Sequence, residues 1–146
     1  MATILVADDS IFMRKKISSL LARNGYQPEE ASDGEEACAK YNRLRPALVI
    51  MNVVMPGMDG LTATRVIRSS DPNARIIVMS ALKGEHVLRD AIRAGAMAFL
   101  SKPVEPSLLL QLVRYLSITG PGCEPADNGQ QAVERRDTST GSPTRC

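Results

Sequence analysis

The feature that most constrains this chain is an alternation: short apolar runs, each followed by a longer segment with apolar residues at helical spacing. The first run, Thr3 to Ala7, ends at Asp8 and Asp9, and an unbroken run of this kind suits a strand covered on both faces. Behind it Met13, Ile17, Leu20 and Leu21 share one helical face, with Arg14, Lys15, Lys16 and Ser18 on the other. Ser10 is placed to cap that helix and Gly25 to close it. The cycle then repeats. Gln27 to Ala31 precedes Asp33 as a cap and a helix carrying Ala37, Tyr41 and Leu44, which Pro46 stops. Leu48 to Met51 leads through a Met-Pro-Gly turn to a helix carrying Leu61, Val66 and Ile67, broken at Asp71-Pro72. "RIIVMS" at 75 to 80 precedes a helix with Val87, Leu88, Ala91 and Ile92, closing near Gly95. Ala98 to Ser101 meets Lys102-Pro103, and a last helix follows with Leu108, Leu109, Leu112, Val113 and Leu116. Five strands alternating with five helices predict an α/β fold, an open parallel sheet with helices on both faces.

At 146 residues the chain has material for one core. Hydrophobic residues at 44% and charged residues at 23% are ordinary for a globular protein, and no stretch has the apolar length of a membrane span. The N-terminus lacks the basic region and cleavage site of a signal peptide, which predicts a cytoplasmic protein with no membrane partner. A net charge of +2, with three Tyr and two Phe, argues against nucleic acid. Cys38, Cys123 and Cys146 are odd in number and lack metal-ligand spacing, so they read as reduced thiols. Arg14, Lys15 and Lys16 form a basic cluster whose plain interpretation is a solvated helix face. His86 reads as a surface residue of the fourth helix, and the seven Met residues as core and turn fillers. From about 118 to 146 the chain turns to Gly, Pro, Ser, Thr and charge. It reads there as a disordered tail, or as a linker cut from a longer protein.

A parallel sheet brings all strand C-termini to one edge, and open α/β proteins bind their ligands there. That edge collects Asp8 and Asp9 after the first strand, Asn52 after the third, Ser80 after the fourth and Lys102 after the fifth. Two carboxylates, an amide, a hydroxyl and an ammonium group suit a divalent cation beside a phosphoryl group: hard cations take oxygen ligands, and phosphoryl oxygens take a hydroxyl and a cation. The segments "VADDS", "VIMNVVMPGMDG", "VMSALKG" and "AGAMAFLSKP", in this order and spacing, closely resemble those of a response-regulator receiver domain of two-component signalling, near the single-domain chemotaxis type. The likeness covers residues 1–117. It implies a flavodoxin-like sheet in the order 2-1-3-4-5, which the alternation alone leaves open. It also implies a direct Mg²⁺ ligand in Asp9, assistance through water from Asp8, and a third protein ligand in the Val54 backbone carbonyl. Ser80 would hold a phosphoryl oxygen, Lys102 would pair with the acceptor side chain and the phosphoryl group, and Phe99 would be the aromatic switch that follows Ser80. A cis Lys102-Pro103 bond is expected on the same ground.

The departure from that pattern is Asn52, which stands where the family places the aspartate that is phosphorylated. A neutral amide is a far poorer nucleophile than a carboxylate. With two carboxylates where the family has three, Mg²⁺ binding is expected to weaken. An engineered block, a naturally phosphorylation-independent receiver, and a mimic of one signalling state all account for the change. The expected protein is therefore a signalling switch rather than an enzyme, not phosphorylated at Asn52. Its partners would be a histidine kinase or His-phosphotransfer protein, and a downstream target on the face made by the fourth helix, fifth strand and fifth helix. The alternative is a pseudo-receiver that binds protein constitutively. A flavin site fits poorly, because Asp8 and Asp9 would repel a phosphate, and an aspartyl phosphatase would need Asp-x-Asp spacing.

Overall fold

A computed structural model describes residues 2–118. Its elements run β1 (Thr3–Ala7), α1 (Ile11–Arg23), β2 (Gln27–Ala31), α2 (Gly34–Leu44), β3 (Leu48–Asn52), α3 (Gly60–Ser70), β4 (Ile76–Ser80), α4 (Glu85–Ala94), β5 (Ala98–Ser101) and α5 (Pro106–Ile118). The strands form one parallel sheet in the order β2-β1-β3-β4-β5, the flavodoxin-like arrangement. Apart from Ile118, which ends α5, the expected tail with Cys123 and Cys146 lies outside the described residues.

The period-two geometry of a strand explains how one sheet makes two cores. Leu5, Ala7, Val49, Met51, Ile76 and Val78 point to the side covered by Ala37 and Tyr41 of α2, Ala63 and Ile67 of α3 and Ala91 of α4. Their neighbours Ile4, Val6, Leu48, Ile50, Ile77 and Met79 point the other way, against Ile17 and Leu21 of α1 and Leu109 and Val113 of α5. β3 and β4, buried along their whole length, are apolar throughout except at their last residues, Asn52 and Ser80. β2 is an edge strand, which is why it can carry Pro28, Glu29 and Glu30.

The caps follow the sequence. The Ser10 side chain accepts from the Met13 amide at 3.2 Å and Asp33 from the Glu36 amide at 2.8 Å. Asp59 caps α3 by accepting from the Thr62 amide at 2.7 Å. Some helix faces differ from expectation. Ser18 is buried rather than on the solvent side, since α1 turns it toward β2. Val66, Leu88, Ile92 and Leu108 are exposed. α4 rests on α3 and the edge strand β5, so only a narrow stripe, Val87, Ala91 and Ala94, is covered. At the sheet edge opposite the candidate site, the Tyr41 hydroxyl donates to Asp71 at 2.7 Å, and Arg75 donates to the Leu116 carbonyl near the end of α5 at 2.6 Å.

The start of α3 is pressed against the end of β3. The Gly60 amide donates to the Val53 carbonyl at 2.8 Å, and a Cβ at Gly60 would lie 1.9 Å from the Asn52 carbonyl oxygen. Gly60→Ala is accordingly expected to lower the unfolding free energy by about 2 kcal/mol. Urea denaturation measures this, and an unchanged midpoint would show that α3 can stand off β3 at no cost.

Candidate functional site

The strand order reverses direction between β1 and β3, and the crevice at their C-terminal ends is where such sheets bind ligands. Asp8 and Asp9 follow β1 and Asn52 ends β3, so they flank this crevice. Ser80 ends β4, opposite Ser101 of β5, and Lys102 follows. The structure thus brings the sequence-selected polar residues to one edge.

Asp8 is fully buried. One carboxylate oxygen accepts from the Ser10 amide at 2.9 Å and the other from Lys102 Nζ at 3.0 Å. A buried charge needs such partners, because its desolvation costs several kcal/mol. The resemblance implied a bond from Lys102 to the side chain at position 52. The ammonium group instead meets the Asp8 carboxylate, a stronger acceptor than an amide oxygen. Asn52, 5% exposed, donates through Nδ2 to the Val54 carbonyl at 2.7 Å and, at the limit of hydrogen-bond reach, to Asp9 Oδ1 at 3.4 Å. A carbonyl only accepts, so the amide must turn its NH₂ toward these two oxygens.

Ser80 is 1% exposed, and its Oγ accepts from the Leu82 amide at 2.9 Å, which leaves the hydroxyl proton free to be donated. Its carbonyl accepts from the Lys102 amide at 2.8 Å. Phe99, beside Val78 on β5, packs half-buried against the α2–α4 side of the core. The Lys102–Pro103 peptide bond is cis, as the resemblance implied.

Asp8, Asp9 and the Val54 carbonyl form an all-oxygen donor set, toward which Asn52, a further metal-ligand candidate by resemblance, turns its NH₂ rather than its amide oxygen. The chemistry of the set fits a hard divalent cation that keeps several waters. The same amide, through its NH₂, competes for two of those oxygens. Among the described residues no group of three or more His, Cys, Asp or Glu is gathered to hold a metal, and no helix is long and apolar enough to cross a membrane.

The family profile for the response regulator receiver domain matches residues 4–114. The chain is 39% identical over 115 residues to the chemotaxis protein CheY of Thermotoga maritima, covering 78% of this chain and 96% of that one. It is 41% identical over 111 residues to CheY of Bacillus subtilis, covering 75% and 92%. Among solved structures, it resembles a chain of the CheX-CheY-BeF3-Mg+2 complex from Borrelia burgdorferi with a TM-score of 0.73 and 36% identity, covering 77% of this chain and 86% of that one. CheY4 of Vibrio cholerae gives a TM-score of 0.75 at 31% identity, covering 80% and 98%.

One residue of the site carried no motif. Arg14, on α1, donates through Nη1 to the Asp8 backbone carbonyl at 2.7 Å and through Nε to Glu30 of β2 at 3.2 Å. Lys15 joins the same carboxylate at 3.3 Å. Two of the four basic residues on α1 are thus tied to an edge strand, and only a pairing of Arg14 with "EE" at 29 to 30 in the sequence could have hinted at it. Burial works to raise the Glu30 pKa, but the polar groups of Ser18, Lys15 and Arg14 outweigh it and hold the carboxyl below its ordinary value. A depressed carboxyl contributes stability above the unfolded pKa and loses it as pH falls through the folded one. Arg14→Ala is expected to cost about 1–2 kcal/mol at neutral pH. In urea unfolding across pH, the deficit should narrow below the ordinary glutamate value of 4.5 as Glu30 protonates. A deficit that ignores pH would deny the Arg14–Glu30 pair any part in it.

Proposed function

Because the chain belongs to the response regulator receiver domain family of two-component signalling, we propose that Asn52 occupies the family's phosphoacceptor position and silences phosphotransfer in an otherwise complete site. The observation that carries this is the Asn52 side chain: buried at the end of β3, with its NH₂ on the Val54 carbonyl and Asp9.

In a receiver with aspartate at this position, a carboxylate oxygen would attack the phosphorus of a phosphohistidine. The P–N bond breaks, its electron pair returns to the imidazole, and an acyl phosphate forms. Asn52 offers no anionic oxygen for that attack. The other parts keep their chemistry. The Ser80 hydroxyl has its proton free for a phosphoryl oxygen, and Lys102 stands beside Asp8 with an ammonium charge for the same group. Mg²⁺, which accompanies BeF3 in the Borrelia burgdorferi complex, would be held by Asp9 and the Val54 carbonyl, with Asp8 assisting through water, and would neutralise phosphoryl charge. Asn52 weakens that binding in two ways. One carboxylate is missing, worth about 4 kcal/mol of gross Coulomb attraction at contact in a protein-like dielectric, and the amide NH₂ competes for two of the donors.

The proposed partners are a histidine kinase or His-phosphotransfer protein at the sheet edge and a target protein on the α4–β5–α5 face. Leu88, Ile92, Met97, Leu108 and Tyr115 are exposed there, an apolar density suited to protein recognition. Phe99 would follow Ser80 as the switch between two populations. The protein acts, in this proposal, in the cytoplasm as a signalling module rather than an enzyme, without nucleic acid or membrane. The alternative, constitutive binding by a pseudo-receiver, is favoured by the internally satisfied Asn52 amide, which leaves the edge organised without a ligand.

Intact mass after incubation with Mg²⁺ and acetyl phosphate tests the proposal. The chain itself should gain nothing, and Asn52→Asp should gain one phosphoryl group; if neither is labelled, constitutive binding takes its place. Thermal denaturation gives a second measure: Mg²⁺ should raise the Tm of Asn52→Asp well beyond any rise in the parent chain. Equal shifts would deny that position 52 governs the cation.

A further inference from the structure

A cavity of about 500 Å³ opens between α1 and the connection from β5 to α5, and it meets the site already described only through Lys102 and through Ala81, the neighbour of Ser80. Met13, Ile17 and Leu20 form one wall, and Pro103, Val104 and Leu109 form the other. Its size and apolar lining are those of small-molecule sites. Pro103 and Pro106 restrict the backbone of the second wall, so little ordering would oppose binding.

The charge at this cavity is of one sign. Every ionisable side chain lining it is a cation: Lys16, Arg23 and Lys102. Lys102 is paired with Asp8. Among the described residues, Lys16 and Arg23 have no carboxylate partner, and Lys16 lies over the Phe12 ring at 5.8 Å. An apolar trough with free cations at its rim complements a molecule with an apolar body and a negative head. We propose that it binds a small amphipathic anion, an alkyl chain ending in one carboxylate, with the chain between α1 and Val104 and the head on Lys16 or Arg23.

The test is a heteronuclear NMR titration of the full chain with decanoate, kept below the concentration at which it forms micelles, and with decanol in parallel. Saturable shifts confined to residues lining the trough, among them Met13, Ile17, Val104 and Leu109 and one or both of Lys16 and Arg23, with decanol weaker by about tenfold or more, are expected. The double variant Lys16→Glu, Arg23→Glu reverses the charge at the trough while leaving its apolar walls in place, and should weaken decanoate by a similar factor. Val104→Trp should occlude the trough and abolish the shifts. Equal binding of decanoate and decanol, decanoate binding unchanged in the charge-reversed variant, or scattered non-saturating shifts would each overturn the proposal. Occupation by an acidic amphipathic helical peptide but not by decanoate would also overturn it, and would assign the groove to a protein partner.

Discussion

The constraint on which the rest depends is that β1, β3 and β4 carry apolar side chains on both faces. A strand buried on both sides can pair only in the sheet's interior, and its faces need helices above and below. Helical crossovers make neighbouring strands parallel, and parallel strands deliver their C-termini to one edge. The polar residues there are thus gathered by core packing. Ile4, Leu48 and Ile77 decide where Asp8, Asn52 and Ser80 end up as surely as any contact among those three.

At that edge the charge balance explains the geometry. Asp8, fully enclosed, needs a cation, and Lys102 supplies it. Asn52 brings no charge and spends its amide protons on the nearest oxygens, Val54 and Asp9. Arg14 fixes the Asp8 backbone from below and ties it to the sheet's outer strand. Together these contacts hold the ends of β1, β3 and β5, with β2 beside them, in a fixed relation.

Much of this was legible in advance because it rests on periodicity and punctuation. Strand positions, the caps at Ser10 and Asp33 and the convergence of Asp8, Asn52, Ser80 and Lys102 follow from repeating patterns and from the geometry of parallel sheets. Strand order needed the family likeness, since alternation is the same for several orders. What stayed hidden depends on facing surfaces. Ser18 and Val66 have side chains compatible with either side of a helix, and only the neighbouring element decides. Lys102 had a choice of acceptors, settled by the burial of Asp8. The trough between α1 and the β5–α5 connection is made of residues nearly ninety positions apart, such as Ile17 and Val104, which no local pattern links.

The contact between Gly60 and the Asn52 carbonyl has a consequence for descent. With its backbone clamped by α3, position 52 cannot drift, and its side chain is enclosed in a space of a volume that Asn and Asp share, although an aspartate would give up the NH₂ bonds to Val54 and Asp9. The Asn and Asp codons differ at the first base. A single nucleotide change can therefore exchange one residue for the other without altering the volume the core must accommodate, and both forms would remain within reach of selection.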